Sequence, residues 1–266
     1  MRRVLPKYKG RGRFVQLVAL HKKITDDALA MRKDVESVLT PVSQRRYSGP
    51  SMYIAPFLSR LNEVTIPFKV HNELIEDISV DPAGLELTAQ WTPIWLKTKP
   101  RRQVDIHLEW HVHPRGRRCG VQTEDWQRRH FYFWSYLMHE LAHRHQNNHR
   151  SDDVDAQKFI PTADEDDDVR DLQMYLGDFD EVEAYAHDIA LEMVVWFPTL
   201  GYRAAFAQVK KFRHNLVDGS YPIFAVAFDK APKHPAMVLL RKKIQGWYRI
   251  MDTHRNIYRT LQLGPL

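Results

Sequence analysis

Residues 123–147 read TEDWQRRHFYFWSYLMHELAHRHQN, and the fold is read outward from this stretch. Thr123 can cap a helix, and Glu124 and Asp125 suit the positive end of its dipole, so one long helix is expected to about Asn147. Its turns from Phe131 to Met138 are among the most apolar in the chain, which points to a buried helix. The next turn is His139-Glu140-Leu141-Ala142-His143. Histidines at i and i+4 share a helix face, so both imidazoles can reach one zinc ion, and the glutamate between them can act on water beside it. Such a pentapeptide arises by chance in about 3% of chains of this composition. Two histidines and a glutamate buried on one face are costly unless paired or metal-bound.

A catalytic zinc needs a third protein ligand. The richest downstream source is Asp180-Glu181-Val182-Glu183-Ala184-Tyr185-Ala186-His187-Asp188, at the start of another expected helix. Glu181 and Glu183 lie on different faces of that helix, and Glu183 can pair with His187 one turn on. Asp188, two turns beyond Glu181, can orient a zinc-bound histidine through its other ring nitrogen. Tyr185, next on the Glu181 face, can either donate to an oxyanion or pack between helices.

With these residues the chain resembles the HExxH metallopeptidases of the zincin class, especially glutamate-zincins. Their third ligand comes from a second helix bearing a glutamate and, three residues on, a small residue; Glu181 with Ala184 fits that pattern. The phrase from Tyr175 to Ala186 also resembles the second-helix segment of small HExxH proteins found among phages and bacteria. The resemblance spans roughly residues 123–190. It departs from the thermolysin-like pattern at Tyr185, where an aspartate is usual. It implies a zincin-like fold and a zinc metallopeptidase: His139, His143 and Glu181 bind Zn2+, Glu140 serves as general base on metal-activated water, and a peptide bond is cleaved. Close helix approach at Ala184 also favours Glu181, with Glu183 as the competing ligand.

The rest of the chain supplies a scaffold. A helix is expected from about Asp26 to Leu39, capped by Thr25 and stopped by Pro41. From Met52 to Val112 the period changes to two, in segments such as Thr65–Val70 and Leu85–Trp91, so a mixed or antiparallel sheet is expected there. Its clearest strand is Val104–Val112, taken as the edge that could bind an extended substrate by strand addition. Further helices are expected at Asp180–Trp196, Tyr202–Asn215 and Pro235–Arg259. The expected fold is α+β: an amino-terminal sheet packed on the HExxH helix, then a mostly helical carboxy-terminal part. The organisation is a basic arm over residues 1–22 and one domain over 23–266.

Charge is strongly partitioned. Residues 1–50 carry twelve Lys/Arg against four Asp/Glu, a net of +8, while residues 151–190 carry two against fourteen, a net of −12. Arg2, Arg3, Lys7, Lys9, Arg11 and Arg13, with glycines between, form an arm that could lie on phosphates or on an acidic protein. Asp164–Asp168 lacks the spaced ligands of a calcium loop and reads as a surface loop. His107, His111 and His113 share a strand face, and His145 and His149 follow the motif, but both sets read as surface or secondary sites. Cys119, the single cysteine, has basic neighbours but no cysteine-protease signature. No signal peptide and no membrane span is expected, and the setting is read as cytoplasmic. The competing functional reading is a catalytically silent zincin-like structural or nucleic-acid-associated protein, with Arg101, Arg102, Arg115, Arg117, Arg118, Arg128 and Arg129 added to the basic arm.

Overall fold

The computed structural model describes residues 16–32, 70–76, 85–92, 105–112, 123–147, 167–211, 220–228 and 232–261. The helices are α1 (residues 16–32), α2 (Thr123–Asn147), α3 (Asp167–Leu176), α4 (Phe179–Trp196), α5 (Tyr202–Val209), α6 (Ser220–Ala227), α7 (Pro235–Thr253) and α8 (Arg255–Thr260).

Helix α4 is the axis of the fold. Asp178 caps it by accepting from the Asp180 backbone N–H at 2.9 Å, and every residue from Ala186 to Val195 is buried. A helix buried all round needs neighbours on every side. α2, α3, α5, α6 and α7 provide them. Ala184, Ala186 and Ala190 keep its surface low so that other helices come close, and α7 carries Leu240, Ile244, Trp247 and Met251 at helical spacing as buried residues. α2 adds Phe131, Trp134, Leu137, Met138 and Leu141 to the core.

This packing corrects the α+β expectation. The interpretable body is mostly helical, and every described buried apolar side chain comes from a helix or an adjoining turn. A sheet offers one face to a core, whereas α4 requires burial around its whole circumference. At the backbone level three short strands remain, β1 (Val70–Glu76), β2 (Leu85–Thr92) and β3 (Asp105–Val112), in the order β1-β3-β2. β3 is therefore central, paired parallel to β1 and antiparallel to β2, not the expected free edge. Its backbone is committed on both sides and cannot take up a substrate strand. His107 and His111 lie in β3, opposite His71 and Ile75 of β1.

Other differences have local causes. Thr25 caps nothing: α1 runs through it and through residue 22, where the arm was expected to end, and its hydroxyl donates back to the His21 carbonyl at 2.8 Å. Ile24, Ala28 and Met31 face the core from α1. Asp167 and Asp168 begin α3 instead of closing a loop, which suits acidic side chains at the positive end of a helix. The expected helix over Tyr202–Asn215 ends at Val209, and the one over Pro235–Arg259 breaks at His254 into α7 and α8. The arm's basic residues Arg2, Arg3, Lys7, Lys9, Arg11 and Arg13, with Cys119, His113 and His149, lie outside the described residues. Among the described residues, no helix is long and apolar enough to cross a membrane.

Glu192 ties α4 to the start of α6, accepting from the Ser220 backbone N–H at 3.0 Å and the Ser220 hydroxyl at 2.9 Å. Burial pushes its carboxyl up to about 7, against the Ser220 hydrogen bonds and with help from the Asp188 charge. An acid whose folded value is raised above its ordinary 4.5 stabilises the fold while protonated; this contribution is complete below that value and is lost as pH rises through 7. The shift corresponds to about 3 kcal/mol. Glu192→Gln, neutral throughout, should therefore gain stability over the native chain between about pH 5 and about pH 8. Thermal melts across that range check this, and a pH-independent difference would remove Glu192 as the titrating group.

Candidate metal centre

The HExxH turn of α2 faces the first turns of α4. His139 and His143 bring their Nε2 atoms to 3.0 Å of each other, and Glu181 brings Oε2 to 3.6 Å from His139 and Oε1 to 3.4 Å from His143. Ligand atoms of these three residues all lie within 4.8 Å of one another. The segments are brought together by the apolar packing of α2 on α4, whose close approach the alanines permit.

Hydrogen bonds on the far side of each ring determine what the near side presents. His139 Nδ1 lies 2.7 Å from Asp188 Oδ2, and His143 Nδ1 lies 3.0 Å from Gln146 Oε1. The Gln146 amide is oriented by its own donation to the Asp180 carbonyl at 3.4 Å. Both partners are acceptors, so each Nδ1 donates, and in any neutral form the rings would turn bare Nε2 lone pairs toward each other. Two lone pairs 3.0 Å apart beside a carboxylate repel unless a cation or a proton lies between them. Glu181 Oε2 is buried with no hydrogen-bond partner, a second sign that the donor set suits a metal ion.

The electrostatics agree. Burial by itself disfavours a charged His139, yet the Asp188 charge and hydrogen bond, with Glu181 and Glu140, hold its imidazole well above the ordinary value. Burial also works against charge on Glu181 and on Asp188. The two imidazoles beside it nevertheless keep the Glu181 carboxyl far below the usual range, and His139 keeps that of Asp188 low. Glu140 differs. It is only 4% exposed, its Oε2 has no hydrogen-bond partner, and burial, reinforced by the Glu181 and Asp188 charges and opposed by the two histidines, raises its carboxyl. A carboxylate in that condition is a better proton acceptor than one in water.

Glu183 faces away. It is ion-paired with Lys243 and accepts from Trp247 Nε1 at 2.8 Å, both on α7, so it does not join the cluster. Nor does it pair with His187, as its i+4 spacing suggested. His187 is fully buried against Trp247, at a centroid distance of 5.0 Å, with Nδ1 3.5 Å from Asp188. Tyr185 packs edge-on between His139 and Phe224, at 5.0 and 5.2 Å between ring centroids. His145 joins Asp27 of α1 at 2.9 Å and so fastens the end of α2 to α1.

Tyr175, the next-to-last residue of α3, was not singled out from the sequence. It keeps about half its surface in solvent, 49%, and lies near enough to Tyr185 and Glu181 to feel their charges. Burial first, and then those neighbours, push its phenol far up, so it remains a proton donor. Its position six residues before Glu181 was the only signal in the sequence, and the turn at Gly177 makes that spacing productive. Comparison with family models, curated proteins and solved structures finds no match, so a functional reading rests on this geometry.

Proposed function

We propose that this protein is a zinc-dependent hydrolase that cleaves a peptide bond, with His139, His143 and Glu181 holding the zinc and Glu140 as general base. The observation that carries the reading is the pair of facing Nε2 atoms with the Glu181 carboxylate across from them. Two imidazoles and one carboxylate suit zinc and leave room for a further ligand. When bound, zinc would supply a Lewis acid that polarises a carbonyl and lowers the pKa of water. Glu140 then has the proton to handle: its buried carboxylate takes it up during attack and can return it to the leaving amine. Asp188 holds the His139 ring and Gln146 holds the His143 ring. A cytoplasmic setting belongs to the same proposal, since a chain with one cysteine has no internal disulfide to protect.

Metal analysis of the purified full chain, followed by peptide hydrolysis with a chelator and then with zinc restored, tests this reading. About one zinc per chain is expected, with cleavage that the chelator abolishes and zinc restores. A zinc content near zero would overturn the metal assignment. Full zinc without cleavage of any peptide would overturn the hydrolase.

A further inference from the structure

Beyond the metal centre, the carboxy-terminal part of the chain carries a large excess of positive charge. Residues 197–266 contain twelve Lys/Arg against three Asp and no Glu, a net of +9. Among the described cations there, only Lys243 and Arg255 make ion pairs, with Glu183 and Asp252. The remainder includes Arg203, Lys210, Lys211 and Arg249, all exposed.

Part of this charge stands on a rigid aromatic base. Tyr202, Phe206 and Lys210 follow one another at helical spacing along α5. The Tyr202 and Phe206 rings stack at 5.8 Å with 10° between planes, and Lys210 Nζ sits 4.7 Å from the Phe206 centroid. Tyr248 of α7 braces Tyr202 edge-on at 5.5 Å, and exposed Arg249 follows Tyr248 on α7. Tyr202, Phe206 and Lys210 thus form a row that ends in a cation, with exposed Arg249 on the adjacent α7. A cation already held by a ring, as Lys210 is, loses less freedom on meeting an anion than a free side chain does.

The geometry points to this α5–α7 face as a binding surface for the phosphate backbone of nucleic acid, independent of sequence. An acidic protein is the rival occupant, but protein interfaces depend on buried apolar and aromatic anchors at their centre. The exposed large apolar residues described are Val18, Met174, Tyr175, Val226 and Val238, none of them on α5 or the last turns of α7. A face whose rings are half-buried in their own stack and whose exposed groups are cations matches repeating phosphates, which are bound by charge and counterion release.

The test uses the full chain and a fluorescein-labelled 20-base-pair DNA duplex, followed by anisotropy at several salt concentrations. The native chain is compared with the triple variant Arg203→Glu, Lys210→Glu, Arg249→Glu, whose three sites are solvent-exposed and outside the metal centre. The amino-terminal arm is present in both proteins, so their difference isolates this face. The variant should bind at least about tenfold more weakly, with a log–log salt slope shallower by about 3, since each lost phosphate contact contributes about 0.9 on duplex DNA. Its zinc content and melting temperature should stay at native values, which separates this result from any failure of the metal assignment. Unchanged affinity and slope in the variant, or no binding by the native chain at low salt, would overturn the proposal. Competition by polyglutamate equal to that by DNA at matched charge would overturn it in favour of an acidic protein partner.

Discussion

Alanine at His139, His143 or Glu181 should strip zinc from the protein, while alanine at Glu183 should leave zinc affinity near the native value. The first three residues converge from α2 and α4 on a single point. Each loss removes one of three protein ligands, so affinity should fall by more than the roughly 10- to 100-fold typical of residues that merely orient a ligand. Glu183 spends its carboxylate on Lys243 and Trp247. Removing it leaves a Trp247 N–H without its acceptor, at a stability cost of about 1–3 kcal/mol, and leaves the metal centre intact. Competition titration against a chromophoric chelator ranks the four variants, and thermal melts separate the stability effect. Native zinc affinity in both histidine variants would sink the site, and a larger affinity loss for Glu183→Ala than for Glu181→Ala would move the third ligand.

Glu140→Gln should keep zinc and fold but lose on the order of 10²- to 10⁴-fold in hydrolysis. The amide has nearly the shape of the carboxylate, and Glu140 makes no hydrogen bond through Oε2 that the exchange would break. What disappears is the capacity to accept a proton, which burial had strengthened by raising the carboxyl. Turnover on a cleaved peptide, measured with zinc content as the control, decides the matter. A variant that turns over comparably to the native chain would take Glu140 out of the mechanism.

The histidine pair was legible because it is local. Residues at i and i+4 meet on any helix, and α2 is a helix over its expected length. The choice between Glu181 and Glu183 was not legible in the same way, since both stand on the first turns of α4. It turned on Lys243 and Trp247, about sixty residues away, which draw Glu183 toward α7. The expected aid from Asp188 has its counterpart in the 2.7 Å contact with His139, because two helical turns span the distance between the Glu181 and Asp188 levels of α4. Tyr175 was not legible because its helix was not expected, and only the turn at Gly177 and Asp178 brings it near Glu181.

By itself the sequence determined what is periodic and near in the chain: the long helix from Thr123, the paired histidines with Glu140 between them, the α4 run, and the separation of acidic from basic segments. Such features depend on the 3.6-residue repeat and on composition, which every stretch carries with it. Only the tertiary structure decided which layers pack together, that β3 is central, that Thr25 is interior to a helix, and which glutamate faces the histidines. Those outcomes follow from burying the whole circumference of α4 under five other helices, and a helix's own residues do not say which neighbour will cover which face.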